Sequence, residues 1–247
     1  MTPDARRLEE LSLNSSAPPG QLLYDGWLLR LLPGKAKRAR SVNPVYPSTQ
    51  PLDAKIDYCE RLYGRARLPA LFRLTPFSAP PELDAALARR GYGRFDETAV
   101  ECAPIAADAR ADGAEVMNLP QWVRAIGELR GSPPDHRAAH LARLEGMPLP
   151  MRAVSVEEAG RVVATGLTIV EDEAAGLFDI VTAPEARRRG HARRIVATLL
   201  AVARDMGAHH AYLQVQADNE AARRLYREFG FGERYRYWYR GRDGERA

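Results

Sequence analysis

The chain has 247 residues, 45% of them hydrophobic, a formal net charge of +4 and two cysteines. That length suits one large domain or two of about 120 residues, and the apolar content suffices for a buried core. The small positive excess does not by itself point to nucleic acid, the widely separated Cys59 and Cys102 exclude a disulfide framework and fit reduced core residues, and no apolar run is long enough to cross a bilayer.

In chain order, residues 1–10 mix charges and lack an apolar stretch, so no signal peptide and a cytoplasmic location are expected. Residues 26–32, carrying Trp27, and 38–45 read as strands. A helix is expected over 52–63, a strand over 70–75, a helix over 81–90 closed by Gly91, and a strand over 94–102. Residues 103–113 are small and charged, with Pro104 and Gly113, and read as a linker. The expected domains are therefore 1–108 and 109–247. After the linker, 120–128 and 134–144 look helical, and 151–156 with 161–170 form a hairpin around Gly160. His136 and His140 stand four apart, which is metal-ligand spacing. No third ligand is evident, so a solvated helix face and no metal are expected.

The next segment carries the chemistry. Residues 177–182 are apolar and β-branched, a short strand. Arg187-Arg188-Arg189-Gly190-His191-Ala192 follows, and then Ala192, Ile195, Val196, Leu199, Leu200 and Ala203 mark one helical stripe closed by Gly207. A helix N-terminus has unpaired N–H groups and partial positive charge, so arginines there, with Arg193 and Arg194 in the first turn, repel it. A bound anion such as phosphate resolves the conflict, and Gly190 lets the backbone approach it. Residues 211–216 form another strand. A further helix is capped by Asp218 or Asn219 and by Gly230, with Ala222, Leu225, Tyr226 and Phe229 on one face, so Tyr226 points inward. On spacing alone Tyr226 is a core aromatic whose hydroxyl finds a buried partner. The alternating run 234–240 reads as a half-packed strand in preference to a base-stacking surface.

Arg187-x-x-Gly190-x-Ala192 resembles the pyrophosphate loop of the GCN5-related N-acetyltransferases (GNAT), and Asn219-x-x-Ala222-x-x-x-Tyr226-x-x-x-Gly230-Phe231 resembles that family's ending. The resemblance implies an α/β (α+β) fold with a mixed, mostly antiparallel central sheet and flanking helices. It implies that acetyl-coenzyme A is the co-substrate, with no metal. Main-chain groups of Ile180, Val181 and Thr182 would meet its pantetheine arm along a strand splayed from its neighbour. Arg187, Arg188, Arg189, Gly190, His191, Ala192, Arg193 and Asn219 would hold the remainder. Backbone N–H groups of 180–183 would stabilise the oxyanion, and Tyr226 becomes the general acid for the departing thiolate. Asp179, Glu171 and Glu173 are candidate bases, none selected by spacing. The acceptor expected is a primary amine of a small molecule or amino acid, with the protein a monomer or homodimer and neither membrane nor nucleic acid as partner. The alternative is a non-catalytic acetyl-coenzyme A sensor or a nucleic-acid-binding module. Because the element order of the first half echoes the second without such a loop, residues 1–108 read as a degenerate copy of the same fold, as in tandem bacterial acetyltransferases. Trp27, Arg30, Arg40 and Asn43 are candidates to line the amine pocket from that copy.

Overall fold

The computed structural model describes residues 2–33 and 36–243. In chain order the elements are α1 (Ala5–Ser15), β1 (Gln21–Tyr24), β2 (Trp27–Arg30), β3 (Ser41–Pro44), α2 (Leu52–Arg65), β4 (Leu71–Leu74), α3 (Leu83–Arg89), β5 (Gly93–Pro104), β6 (Glu115–Met117), α4 (Leu119–Leu129), α5 (Pro134–Glu145), β7 (Met151–Glu158), β8 (Arg161–Glu171), β9 (Ala174–Thr182), α6 (His191–Asp205), β10 (His210–Gln216), α7 (Glu220–Glu228) and β11 (Gly232–Gly241). The expected strand at 38–45 is shorter, since residues 37–39 form a 3-10 turn before β3.

Two compact units result, but they do not divide at one point near residue 108. The larger comprises the described residues of Met1–Ser15, Val100–Val215 and Asn219–Arg234; the smaller comprises those of Ser16–Ala99, Gln216–Asp218 and Tyr235–Ala247. The chain of β5 passes from the smaller to the larger unit, and that of β11 passes back. Residues 103–113 are also not a free linker. Ala103 and Pro104 end β5, Ile105 N–H donates to His209 C=O at 2.8 Å, and Arg204 donates to the carbonyls of Ala107 and Ala109 at 2.9 and 2.6 Å.

In the larger unit the strand order is β5-β10-β9-β8-β7-β6. β6, β7, β8 and β9 pair antiparallel in turn, and β9 pairs parallel with β10. α4 packs one face, where Trp122, Val123 and Ile126 join Leu144, Ala153, Leu167 and Ile169 in one core. α6 buries Ile195, Val196, Leu199 and Leu200, its apolar stripe lying over β8 at Gly166. A Cβ on Gly166 would clash with Ile195 and come within 2.8 Å of Leu199, so glycine sets how closely helix and sheet approach. α1 was not expected; Leu8, Leu11 and Leu13 are buried and Ser15 hydrogen-bonds Tyr212 at 2.9 Å.

In the smaller unit the order is β1-β2-β3-β4-β11-β5. β1–β2 and β2–β3 are antiparallel, β3–β4 parallel and β4–β11 antiparallel. Its core gathers Trp27, Ile56, Tyr63, Phe72 and Tyr92. On β11 Tyr235, Tyr237 and Tyr239 are buried, while Arg236 pairs with Glu97 at 2.9 Å and Arg240 with Asp84 at 2.8 Å. The alternation of 234–240 is thus that of a packed strand.

Candidate active site

β9 and β10 run together only where they begin: the parallel register joins Ala174–Leu177 to His210–Leu213 and stops. Past Leu177, β9 continues beside β8 alone. That pairing contains a bulge, since Leu167 faces Phe178 and Thr165 faces Val181, leaving Asp179 and Ile180 opposite Gly166. Asp179 takes φ +53°, a left-handed conformation uncommon outside glycine. The splay leaves one edge of 178–182 without a partner strand, which is what an extended polar ligand can pair with. Ala183 is not among the free donors, because its N–H donates to Val163 C=O at 2.8 Å.

A 3-10 turn at Pro184–Ala186 leads from β9 into the loop. Arg188 and Gly190 have φ +61° and +81°, and a side chain at Gly190 would meet open space. The first bond of α6 is Arg194 N–H to Gly190 C=O at 3.1 Å, while the N–H groups of Arg188, Arg189, Gly190, His191, Ala192 and Arg193 find no backbone acceptor among the described residues. Consecutive N–H groups of this kind at a helix start form a concavity for an anion. Arg187 and Arg188 are exposed. The repulsion expected among the arginines is partly relieved by the chain's own carboxylates: Arg189 reaches Glu158 at 3.1 Å, and Arg193 reaches Asp112 at 3.3 Å and Glu228 at 3.7 Å. His191 is only 3% exposed, and its Nε2 lies 3.2 Å from Glu158. Its imidazole therefore faces inward and only its backbone N–H belongs to the loop surface. Asn219 caps α7, its Oδ1 accepting from Ala222 N–H at 3.2 Å.

α7 turns Tyr226 inward, 8% exposed, with its ring 6.0 Å from that of Phe231. Its hydroxyl makes no hydrogen bond among the described residues, unlike a core tyrosine satisfied by a neighbour. Burial, and then the charge of Glu101, push the phenol up to about 12, so it is protonated at neutral pH. Glu101 was not foreseen. It is 2% exposed, one oxygen accepts from Arg223 Nε at 2.8 Å, and Oε2 is buried without a partner. The signal was present in Ala99-Val100-Glu101-Cys102-Ala103, a carboxylate inside an apolar strand.

Of the three candidate bases, Glu171 is held by Arg7 at 3.1 Å and by Asn14, and Glu173 sits in the β8–β9 turn, where its carbonyl accepts from His209 and His210. Both lie at the end of β9 remote from the loop, roughly 25 Å away at the usual rise per strand residue. Asp179 alone is in the splay. Burial would raise its carboxyl, but Arg130 and His140 outweigh that and hold it below the usual carboxylate range; Arg130 is 2.9 Å and His140 3.5 Å away. His140 therefore does not occupy a solvated face, since its ring also meets Trp122 edge-on at 5.9 Å. His136 is exposed, as expected.

Trp27, Arg30, Arg40 and Asn43 are buried in the smaller unit. Lys55 Nζ lies 4.1 Å over the Trp27 ring, Arg30 donates to Ser16 at 3.1 Å and Asn43 to Ser41 C=O at 2.9 Å. The segment joining β3 to α2, at the place that the loop takes between β9 and α6, has no glycine. Its amides are already engaged: Asp25 accepts from the N–H groups of Thr49 and Gln50 at 3.0 Å and pairs with the fully buried Lys55 at 3.2 Å. Hydrogen bonds from Gln50 and Thr49 hold Asp25 far below the usual carboxylate range.

Residues 119–231 match the acetyltransferase (GNAT) family. The chain is similar to a protein of Bacillus subtilis (strain 168) named uncharacterized N-acetyltransferase YobR, 29% identical over 96% of this chain and 98% of that protein. Among solved structures it is similar to a GCN5-related N-acetyltransferase from Kribbella flavida, with a TM-score of 0.73, 18% identity, and 99% of this chain and 97% of that chain covered. A GCN5-related N-acetyltransferase from Sphaerobacter thermophilus gives a TM-score of 0.57 at 17% identity, covering 81% of this chain and 71% of that one.

Proposed function

We propose that the chain, whose residues 119–231 match the acetyltransferase (GNAT) family, is an acyltransferase that moves the acetyl group of acetyl-coenzyme A to a primary amine of a small molecule or amino acid. The observation that carries the reading is the coincidence of two features: β9 parted from its neighbour strand and, in the loop that leads from it into α6, six backbone N–H groups without backbone acceptors among the described residues. The diphosphate lies on that N–H cradle, with Arg187 and Arg188 adding charge-assisted bonds. Arg189, Gly190, His191, Ala192 and Arg193 contribute chiefly backbone donors, and Asn219 lies at the start of α7. Ile180, Val181 and Thr182 offer main-chain groups to the pantetheine arm.

The acetyl carbonyl then stands by the bulge, where N–H groups on the open edge meet the developing oxyanion. The amine nitrogen bonds to the carbonyl carbon, the oxyanion collapses, and the carbon–sulfur bond breaks. Tyr226, protonated and without another hydrogen-bond partner, supplies the proton that the thiolate takes. The first half of the chain is read as a degenerate copy of the same fold, since β1-β2-β3-α2-β4-α3-β5 repeats the order of β7-β8-β9-α6-β10-α7-β11 with the same pairing senses where both are known.

The test is thiol release from acetyl-coenzyme A with a panel of primary amines, for the wild type and Tyr226→Phe. The substitution should lower kcat by about 10²-fold or more, the range of a general acid, while KM for acetyl-coenzyme A stays within twofold. Unchanged turnover removes Tyr226 from the role, and no calorimetric heat with coenzyme A removes the whole reading.

A further inference from the structure

We propose that His140 accepts the proton lost by the attacking amine, with Asp179 as its positioning residue; the inference rests on the acetyl-transfer reading above. α5 brings the imidazole against β9 at the bulge, one residue before Ile180, where β9 has parted from β10. Nε2 stands 3.5 Å from Asp179 Oδ2, and Arg130 at the end of α4 fixes the other carboxylate oxygen at 2.9 Å. Trp122 braces the ring from α4. A carboxylate beside Nε2 favours the tautomer protonated there, which leaves the Nδ1 lone pair to take a proton. The side chain is 22% exposed, sheltered yet reachable. Asp179 keeps a left-handed backbone to hold this placement, and non-glycine residues retain such strain mostly where the surroundings enforce it.

The charged groups that face His140 are Asp179 from β9, Arg130 from α4 and Arg143 from α5 itself. Burial acts first, and the two arginines assist it against Asp179, so the imidazole lies below its ordinary value of 6.5. It is neutral at pH 7, the form that accepts a proton. The step balances: as the carbon–nitrogen bond forms, one proton passes from the ammonium nitrogen to Nδ1, and as the carbon–sulfur bond breaks, one passes from Tyr226 to sulfur. The imidazolium then returns its proton to solvent and the phenolate recovers one.

Three measurements on the full chain test this. Calorimetry with acetyl-coenzyme A comes first; without binding, the acetyl-transfer reading fails and takes the inference with it. In nitrogen-15 spectra, His140 should be neutral at pH 7.5 with the proton on Nε2, and an imidazolium there overturns the inference alone. Thiol release is then followed from pH 5.5 to 9 with ethanolamine, lysine, glucosamine and spermidine as probes. His140→Gln should cost about 10²-fold in kcat and erase the acidic limb, with acetyl-coenzyme A binding kept. Asp179→Asn should move that limb to lower pH, because a carboxylate that raises the imidazole is gone. His136→Ala, on the exposed face of α5, should change neither. A wild-type rate or an unmoved limb in His140→Gln, with binding intact, also overturns it.

Discussion

Gly190 shows how much a single backbone conformation decides. Its φ of +81° costs a residue with a Cβ about 1–2 kcal/mol, although nothing nearby would obstruct the side chain. Gly190→Glu should therefore leave a folded protein with a slightly lower Tm. On the proposed reading it also places a carboxylate at the seat of the diphosphate, so calorimetric affinity for coenzyme A should fall by at least 10²-fold. Retained affinity would put the diphosphate elsewhere. Tyr226 is governed instead by its surroundings: its ring packs on Phe231 while its hydroxyl lacks a hydrogen-bond partner among the described residues. Spacing alone could place the ring inside, but it could not show that the hydroxyl is left unpaired among the described residues, because that depends on what other elements bring near it, such as Glu101 on β5.

At the scale of elements, β8 and α6 meet through Gly166, and the fit is tight enough to test. Gly166→Ala forces a methyl against Ile195 and Leu199. Overpacking of this kind costs about 1–3 kcal/mol, seen as a lower Tm and a lower denaturation midpoint. The long elements were legible because their periodicity and caps agree. α6 runs from Gly190 to the turn at Gly207, and Asn219 caps α7 as its residue type suggests. α1 escaped because two of its inward positions are Ser12 and Ser15, which carry no apolar signal. Asp4 nevertheless accepts from Arg7 N–H at 2.8 Å, as an N-cap does. The Asp179 bulge was not legible either, since two residues against one is a property of a strand pair. His140 was misjudged for a related reason: its neighbours on α5 are polar, and Asp179 and Trp122 come from elsewhere in the chain.

For the molecule as a whole, element order leads to a reading of two similar halves, but it does not tell how segments are assigned between the units. The start of the chain belongs to the larger unit and most of β11 to the smaller. A division by sequence at residue 108 cannot anticipate this, because the pairing of a last strand is decided by which edge is open to it, not by where its residues fall in the chain. The cofactor chemistry is likewise unequally distributed. The larger unit has unengaged amides at the start of α6, and the smaller has engaged ones before α2. Calorimetry should accordingly give one coenzyme A per chain, and two equivalents would contradict that asymmetry.

Asp25 gives the asymmetry a dynamic meaning. Asp25 occupies the amides of Thr49 and Gln50 from within the smaller unit, so they need no outside anion. The N–H groups of residues 188–193 have no backbone acceptor among the described residues, and on the proposed reading coenzyme A supplies the anion there. Deuterium uptake should reveal the contrast: Thr49 and Gln50 slow to exchange with or without coenzyme A, and residues 188–193 slowed only after it is added.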